Sequence, residues 1–325
     1  MFRRYDKLLL FFNNEIFLRC FILVIKVSFL FVVIWFVGRA LYNSILQVNW
    51  SILTIKPLQI IVGALILFSS NIFGSWIQRT FYRKLGFILS WAQGFALYGT
   101  PQLAKYLPGK LWSIIGYSGI AKWFSIPVMV SSSATFVISG WGLAGASLLG
   151  AILVLLNPPM FVDKELLHTA VPVVTLILIF LFLYPKLYLR IVNFFLIFLK
   201  QPPIRLHYHW RTMMEIVGGS FILNSLYFLG LALIILSIVE VPFSLLPILV
   251  GIFCLANVVG FLALFAPAGI GVREGILLLV LGTIVGSGVA SVIAILARLI
   301  QTVADIFSTV FGLMSFYFGR KGNTS

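Results

Sequence analysis

The segment Phe265-Ala-Pro-Ala-Gly-Ile-Gly271 interrupts a long apolar stretch and decides how we interpret the whole chain. Proline removes a backbone hydrogen-bond donor and glycine relaxes the backbone, so this segment predicts a break in an otherwise helical region. A second break, Tyr106-Leu-Pro-Gly-Lys110, lies in the first half of the sequence. Short apolar arms flank each break, which predicts two broken, re-entrant hairpins at Leu85–Phe124 and Phe243–Gly286.

The composition around these breaks excludes an ordinary soluble fold. Of the 325 residues, 61% are hydrophobic and 10% are charged, and the mean hydropathy is +1.12. Soluble domains contain about 45–50% apolar and about 25% charged residues. Apolar runs longer than about 18 residues indicate membrane helices, whereas a membrane barrel would have short alternating strands. We therefore predict an all-α, polytopic integral membrane helix bundle.

Full spans are predicted where an apolar stretch is long enough to cross about 30 Å of hydrocarbon. Six such stretches occur, at Ile16–Val37, Leu58–Ile77, Pro127–Leu156, Thr169–Tyr184, Met213–Val239 and Ser287–Phe318. Plain hydropathy gives about eight spans, because the two broken regions then count as ordinary kinked spans. We expect a single transmembrane domain over residues 1–325, with halves at about 1–156 and 169–325.

The distribution of positive charge predicts the orientation of these segments. With a cytoplasmic amino terminus, 14 of the 23 Lys and Arg residues fall in cytoplasmic segments, 3 in outer segments and 6 within the membrane. Cytoplasmic loops carry such an excess. The first hairpin then enters from the cytoplasm and the second from outside, as the two halves of an inverted repeat. The net charge of +15 fits loop charge and anionic headgroups rather than nucleic acid.

The longest polar connector, residues 185–211, joins the two halves. Lys186, Arg190 and Asn193 recur in it at helical spacing among apolar residues. This pattern predicts an interfacial amphipathic helix over Lys186–Lys200, which lies on the lipid surface.

Few ionisable residues fall inside the predicted membrane segments, where each costs about 2.5–3.5 kcal/mol, so they are candidates for function. Arg298, Gln301 and Asp305 share one face of the last span. Glu274 follows the second break, near the positive end of a helix dipole, where Arg298 or Lys110 can pair with it. These charges either neutralise one another and hold helices together, or form a cationic pocket for a phosphate headgroup, with Arg298 and Lys110 as ligands.

Glycines at the two breaks supply a further candidate feature. Gly109 and Gly271 would let backbone N–H groups approach an anion. Signatures of enzymes, such as a nucleophile elbow or a Walker loop, are absent from the sequence. His207 and His209 face apart at this spacing and have no evident third partner, so we expect neither a metal nor another cofactor.

The second break continues as Pro267-Ala-Gly-Ile-Gly-Val-Arg-Glu274, and Gly282, Ala290, Ala297 and Arg298 follow it. These residues resemble the strongest motif of the lysylphosphatidylglycerol synthase transmembrane-region family, and Tyr106-Leu-Pro-Gly-Lys-Leu-Trp-Ser113 is similar to its other signature. The family includes the flippase half of the bacterial multiple peptide resistance factor. The resemblance implies a lipid-translocating fold with paired re-entrant segments and site positions at Pro108, Gly109, Pro267, Gly271, Glu274 and Arg298.

The expected function is translocation of an anionic lipid or a polyisoprenyl-phosphate-linked sugar across the cytoplasmic (inner) cell membrane, in cell-envelope lipid or glycan biogenesis. The chain would then be a transporter and not an enzyme, with Asp305 among its substrate-binding residues. Two alternatives stay open: a membrane-embedded lipid-phosphate transferase, and a non-catalytic membrane partner of a glycosyltransferase or other envelope enzyme. The expected partners are thus the lipid, the membrane and, in the last alternative, that enzyme.

Overall fold

The computed structural model describes residues 54–106, 111–157, 210–263, 266 and 269–321, together with single positions between 173 and 194. Regular structure in this part of the chain consists of α-helices and short 3-10 helices, without a β-strand. Five of the described helices are long and apolar enough to cross a membrane. The predicted all-α class is therefore confirmed, and the five long apolar helices fit the predicted membrane protein.

Eight α-helices follow one another in the described part of the chain, and residues 158–209, which lie between the fourth and the fifth, are described only at single positions. The helices are α1 (Pro57–Lys84), α2 (Trp91–Gly99), α3 (Leu111–Trp123), α4 (Val128–Leu156), α5 (Trp210–Ile238), α6 (Leu246–Leu262), α7 (Val272–Val285) and α8 (Ser287–Lys321). A 3-10 helix, Thr100–Tyr106, extends α2, and another, Phe243–Leu245, precedes α6.

Four of the predicted full spans correspond to α1, α4, α5 and α8. The other two, Ile16–Val37 and Thr169–Tyr184, lie outside the described residues or are described only at single positions. The same is true of the connector helix predicted at Lys186–Lys200.

The first broken region consists of helices that are too short to cross a bilayer. α2 has 9 residues and α3 has 13, whereas a spanning helix needs about 20. Both ends of the region lie at the end of the bundle where α1 and α8 finish. Arg79 of α1 stacks on Trp91 at 4.1 Å, and Trp123 contacts Phe316 of α8 with ring centroids 6.0 Å apart.

The second broken region differs from our expectation of two short arms. Its first arm, Phe243–Leu262, has 20 residues and is long and apolar enough to cross a membrane. Pro247 does not shorten it, because it lies in the first turn of α6, where its missing N–H has no helical partner to lose. The break begins at Ala263, and only the second arm, α7, is short, with 14 residues.

The most extensive helix contact among the described residues is the antiparallel pair of α1 and α5. The Thr54 N–H donates to the Ile238 carbonyl at 2.8 Å at one end, and Lys84 pairs with Glu215 at 3.8 Å at the other. Between these ends the backbones touch: a Cβ on Gly230 would lie 2.5 Å from the Gly63 carbonyl oxygen. Small residues permit such close crossings, which stabilise helix pairs in lipid through van der Waals packing.

Two further helix pairs also cross at glycines. α8 packs on α2, where a Cβ on Gly312 would lie 2.5 Å from the Thr100 nitrogen. α4 packs on α6, where a Cβ on Gly251 would lie 2.9 Å from the Val154 side chain. α8 thereby packs against the first broken region. It also packs against α7, which belongs to the second broken region.

Candidate functional site

The 35-residue helix α8 carries polar side chains on one inward face. Gln301 is 9% exposed and Asp305 is 4% exposed, and Arg298 is half-buried on the same side. Leu299 and Val303, which point away from them, are 57% and 50% exposed. The prediction that Arg298, Gln301 and Asp305 share a face toward the protein interior is confirmed.

At the second break the chain turns at Gly271 and starts α7. The φ angle of Gly271 is +85°, in the left-handed region where a side chain costs about 1–2 kcal/mol. Its N–H donates to Oε2 of Glu274 at 2.7 Å, which caps the helix. We expected this N–H to bind a substrate anion. In this conformation Glu274 occupies it, so an anion would have to displace the carboxylate.

Arg298 connects the second break to the first. Its Nε lies 3.8 Å from Oε1 of Glu274, which is the ion pair expected from the sequence. The guanidinium carbon also lies 5.1 Å from the ring centroid of Tyr106, the last described residue before the first break. The Arg298 side chain is therefore held between a carboxylate of one broken region and an aromatic ring of the other.

Asp305 binds the first broken region with both carboxylate oxygens. The Tyr106 hydroxyl donates to Oδ2 at 2.7 Å, and Nζ of Lys105 donates to Oδ1 at 2.8 Å. The Tyr106 hydroxyl also lies 3.3 Å from Oγ1 of Thr302. Asp305 was expected among the substrate ligands. In this structure it fixes Lys105 and Tyr106 against α8.

The two breaks thus meet on one helix. Arg298 and Asp305 are seven residues apart, which is about 10 Å along the axis of α8. Both lie in the middle part of α8, Ser287–Lys321, well away from its ends. We call the side chains of Lys105, Tyr106, Arg273, Glu274, Arg298 and Asp305 the charged cluster.

A narrow pocket opens beside this cluster, between α6, α7 and α8. Arg273, Glu274, Arg298 and Gln301 form its polar part, and apolar residues such as Phe253 form the remainder. Its free space of about 10 Å³ is about enough for one water molecule. A phosphate-sized group therefore enters only when these helices move apart.

Arg273 lies folded back against α6. A Cβ on Gly260 would lie 2.5 Å from Cγ of Arg273, and a Cβ on Gly269 would lie 2.9 Å from its Nε. Within the described part of the chain, its buried Nε has no hydrogen-bond partner. Gly260 and Gly269 leave the space that the Arg273 side chain fills. They thereby allow Arg273 to lie beside Glu274 and Arg298 as a further cation of the site.

Lys105, Tyr106 and Arg273 were not among the predicted site residues. The signal for Lys105 is a charge within a predicted membrane segment, and the signal for Tyr106 is its position two residues before Pro108. The pairing with Asp305 spans 200 positions and leaves no local pattern. The signal for Arg273 is a second charge next to Glu274 within an apolar region.

Some of the predicted site lies outside the described residues. This applies to Lys110 and Gly109, the predicted ligands at the first break, and to the break residues Pro108 and Pro267. Within the described part of the chain, no group of three or more His, Cys, Asp or Glu side chains could hold a metal ion. Cys254 is a buried free thiol there.

Comparisons with known proteins were made by family, by curated sequence and by structure. No family model matches this chain, and neither the curated proteins nor the solved structures give a match. The site geometry and the sequence pattern are therefore the basis for a functional proposal.

Proposed function

We propose that this chain translocates an anionic amphiphile, either a lipid or a polyisoprenyl-phosphate-linked sugar, across the cytoplasmic membrane. The observation that carries the proposal is the charged cluster, in which two interrupted helices meet on α8. Lys105, Arg273 and Arg298 supply three cations there, against the two carboxylates of Glu274 and Asp305. A phosphate headgroup balances the excess positive charge, and guanidinium groups bind phosphate through paired hydrogen bonds.

Glu274 acts as the gate of this site. It holds two groups that an anionic headgroup would use, the Arg298 guanidinium at 3.8 Å and the Gly271 N–H at 2.7 Å. A phosphate that displaces the Glu274 carboxylate gains both partners, and the pocket widens as α7 and α8 separate. The closed pocket is therefore the resting state, and headgroup binding favours the open one.

The helix contacts support an inverted repeat, in which each of α1–α4 corresponds to the helix four places later. The pair α1 and α5 is antiparallel. The α2–α8 contact corresponds to α6–α4, and the α3–α4 contact corresponds to α7–α8. Transporters built this way bind substrate where the broken helices meet, and rocking of one half exposes the site to each side in turn.

Charge at the ends of the helices supports an orientation. Arg83, Lys84 and Arg211 lie at one end of the α1–α5 pair, and Lys56 and Glu240 lie at the other. The positive-inside rule assigns the first end to the cytoplasm. The first broken region then enters from the cytoplasm. The second begins at Phe243, directly after the opposite end of the α1–α5 pair, and therefore enters from the opposite side.

The sequence resemblance to the lysylphosphatidylglycerol synthase transmembrane-region family supports the same function. The residues that carry it include Glu274 and Arg298, which form an ion pair. We therefore propose that the chain belongs to this family. We also propose that it is a transporter and not a membrane-embedded transferase or a glycosyltransferase partner.

Translocation in liposomes tests the proposal. Fluorescent phosphatidylglycerol and a short-chain prenyl-phosphate sugar are followed with wild-type protein and with Glu274→Gln and Arg298→Ala. We expect one substrate to move and both variants to lose at least about tenfold in rate. Arg298→Ala removes a charged phosphate ligand that contributes about 1.5–3 kcal/mol, and Glu274→Gln removes the carboxylate that recloses the pocket after the headgroup leaves. Leu299→Ala is the matched control, since it changes the adjacent exposed residue of α8.

Failure of folded wild-type protein to move either substrate would reject translocation. Formation of a transferred product that Glu274→Gln abolishes would favour the transferase. Full activity of an associated glycosyltransferase with the Arg298→Ala variant would favour the partner role.

A further inference from the structure

A second groove lies on the face where α1, α2 and α5 meet, apart from the charged cluster. Its apolar part is lined by residues that include Phe73, Trp76, Trp91 and Ile222, and has a free volume of about 240 Å³. Its polar part is lined by Arg79, Thr80 and Arg83 together with Trp76, and has a free volume of about 160 Å³. Trp76 lines both, so the two parts adjoin, and we call them together the amphipathic groove. Among the described residues this groove is open, unlike the pocket at Arg298.

The position of Arg79 in this groove is fixed by three contacts. Its Nε donates to the Leu89 carbonyl at 3.0 Å, and its guanidinium carbon lies 4.1 Å from the ring centroid of Trp91. Its stem packs on Gly94, where a Cβ would lie 2.7 Å from Cγ of Arg79. A guanidinium that is already held in place loses little conformational entropy when its remaining N–H groups bind a ligand.

The lining of the groove changes from apolar to basic along α1. Phe73, Trp76 and Thr80 recur at intervals of three and four residues on α1, and Arg83 continues this face. From Phe73 to Arg83 is about 15 Å along the helix axis. The apolar part lies toward the middle of α1, and the basic part lies in its last turns, where a membrane helix meets the headgroup region. A phospholipid has the same order, with an acyl chain inward and a phosphate at the surface.

We propose that this groove binds an anionic phospholipid of the leaflet at the basic end of α1. Arg79, Arg83 and the Thr80 hydroxyl hold the phosphate, and an acyl chain lies along Trp76 and Ile222. Free phosphate would leave the apolar part of the groove without a ligand. The segment Met1–Lys7 of this chain is a poor occupant, because Arg3, Arg4 and Lys7 would repel the groove's own arginines. This site does not depend on translocation at the charged cluster.

The test is native mass spectrometry of the full-length protein, titrated with phosphatidylglycerol, with phosphatidylcholine or with inorganic phosphate. We expect wild-type protein to retain one phosphatidylglycerol in preference to phosphatidylcholine. Arg83→Gln should weaken this binding about tenfold, as expected for loss of one charged hydrogen bond. Ile222→Trp, which fills the apolar part, should also weaken it. Arg83→Lys keeps the charge and should restore most of the affinity.

Arg211→Gln is the matched control, because it removes the same charge from an exposed residue at the same end of the bundle. It should change the affinity by less than about twofold, since exposed ion pairs contribute little. An equal loss with Arg211→Gln, or equal retention of phosphatidylcholine, would overturn the proposal. Competition by inorganic phosphate as strong as by lipid, or unchanged binding in a folded Ile222→Trp variant, would overturn it too.

A further variant distinguishes lipid binding in the groove from lipid binding at the charged cluster. Arg298→Ala removes the proposed phosphate ligand of the charged cluster and leaves the groove intact. It should retain phosphatidylglycerol as tightly as the wild type, even where it no longer transports. Loss of the bound lipid in Arg298→Ala but not in Arg83→Gln would instead locate the lipid at the central site and contradict this proposal.

Discussion

Tyr106 makes two contacts in the charged cluster, one through its hydroxyl and one through its ring, and mutations can separate them. Its hydroxyl donates to Asp305 at 2.7 Å, while its ring lies beneath the Arg298 guanidinium at 5.1 Å. Tyr106→Phe removes only the first contact. We expect a loss of about 1.5–3 kcal/mol in the free energy of unfolding, near the lower value because Lys105 still binds Asp305. Equilibrium unfolding in denaturant measures this.

Two further variants complete that comparison. Tyr106→Leu also removes the ring, and should cost about 0.5–2 kcal/mol more through the lost cation–π contact. Tyr184→Phe removes a hydroxyl from a half-exposed tyrosine and should leave the stability unchanged. Equal stability of Tyr106→Phe and wild type would contradict the role that we give to the hydroxyl.

Gly271 and Gly275 make a matched pair for testing the second break. Gly271 has a φ of +85°, whereas a Cβ on Gly275, one turn later in α7, would meet no atom of the described residues within 4 Å. Gly271→Ala should therefore destabilise the protein by about 1–2 kcal/mol. Gly275→Ala should be neutral or stabilising by up to about 1 kcal/mol. Unfolding curves of the two variants that coincide would argue against a turn at Gly271.

The sequence predicts part of this cluster and misses the rest for a physical reason. Glu274, Arg298 and Asp305 stand out because ionisable side chains are costly within apolar helices. Helical spacing further predicts that Arg298 and Asp305 share a face. The partners of Asp305 are invisible to such reasoning, because they come from a segment 200 residues away. The position of Arg273 likewise depends on empty space at Gly260, which only the packed structure reveals.

The crossing of α1 and α5 depends on two glycines, and this can be tested within one helix. A Cβ on Gly230 would lie 2.5 Å from both the Gly63 oxygen and the Leu67 nitrogen, so the helices must move apart. We expect Gly230→Ala to cost about 1–3 kcal/mol, which is typical of overpacking. Gly218→Ala on the same helix has open space and is the control. Thermal unfolding in detergent measures the stability of both variants. Similar unfolding curves for Gly230→Ala and Gly218→Ala would contradict a close crossing.

Element lengths show where sequence reasoning holds and where it fails. Apolar length predicts α1, α4, α5 and α8, because crossing the hydrocarbon requires about 20 residues. The first broken region also has the two short helices expected from its Pro–Gly break. The second was predicted less well, since the break does not lie at the centre of the region. α6 extends from Leu246 to Leu262, and the shortened arm is α7 alone.

At the scale of the whole molecule, the proposed topology predicts which ends share a compartment. Lys84 and Ser125 flank the first broken region, and Ser244 and Ser287 flank the second; all four are exposed. If each region enters and leaves on one side, the first two positions face the cytoplasm and the last two face outside. A single broken span would instead separate the two members of each pair.

Single cysteines at these positions, in a variant without Cys20 and Cys254, allow the test with a membrane-impermeant thiol reagent. We expect Lys84→Cys and Ser125→Cys to react only from the cytoplasmic side, and Ser244→Cys and Ser287→Cys only from the other. Reaction of either pair from opposite sides would refute the hairpin. Ser113→Cys, next to the first break, distinguishes a re-entrant hairpin from two complete spans, because reaction there only from outside would show that the chain crosses fully. In that case the two breaks would no longer meet on α8 from opposite sides, and the alternating exposure of Arg298 would lose its structural basis.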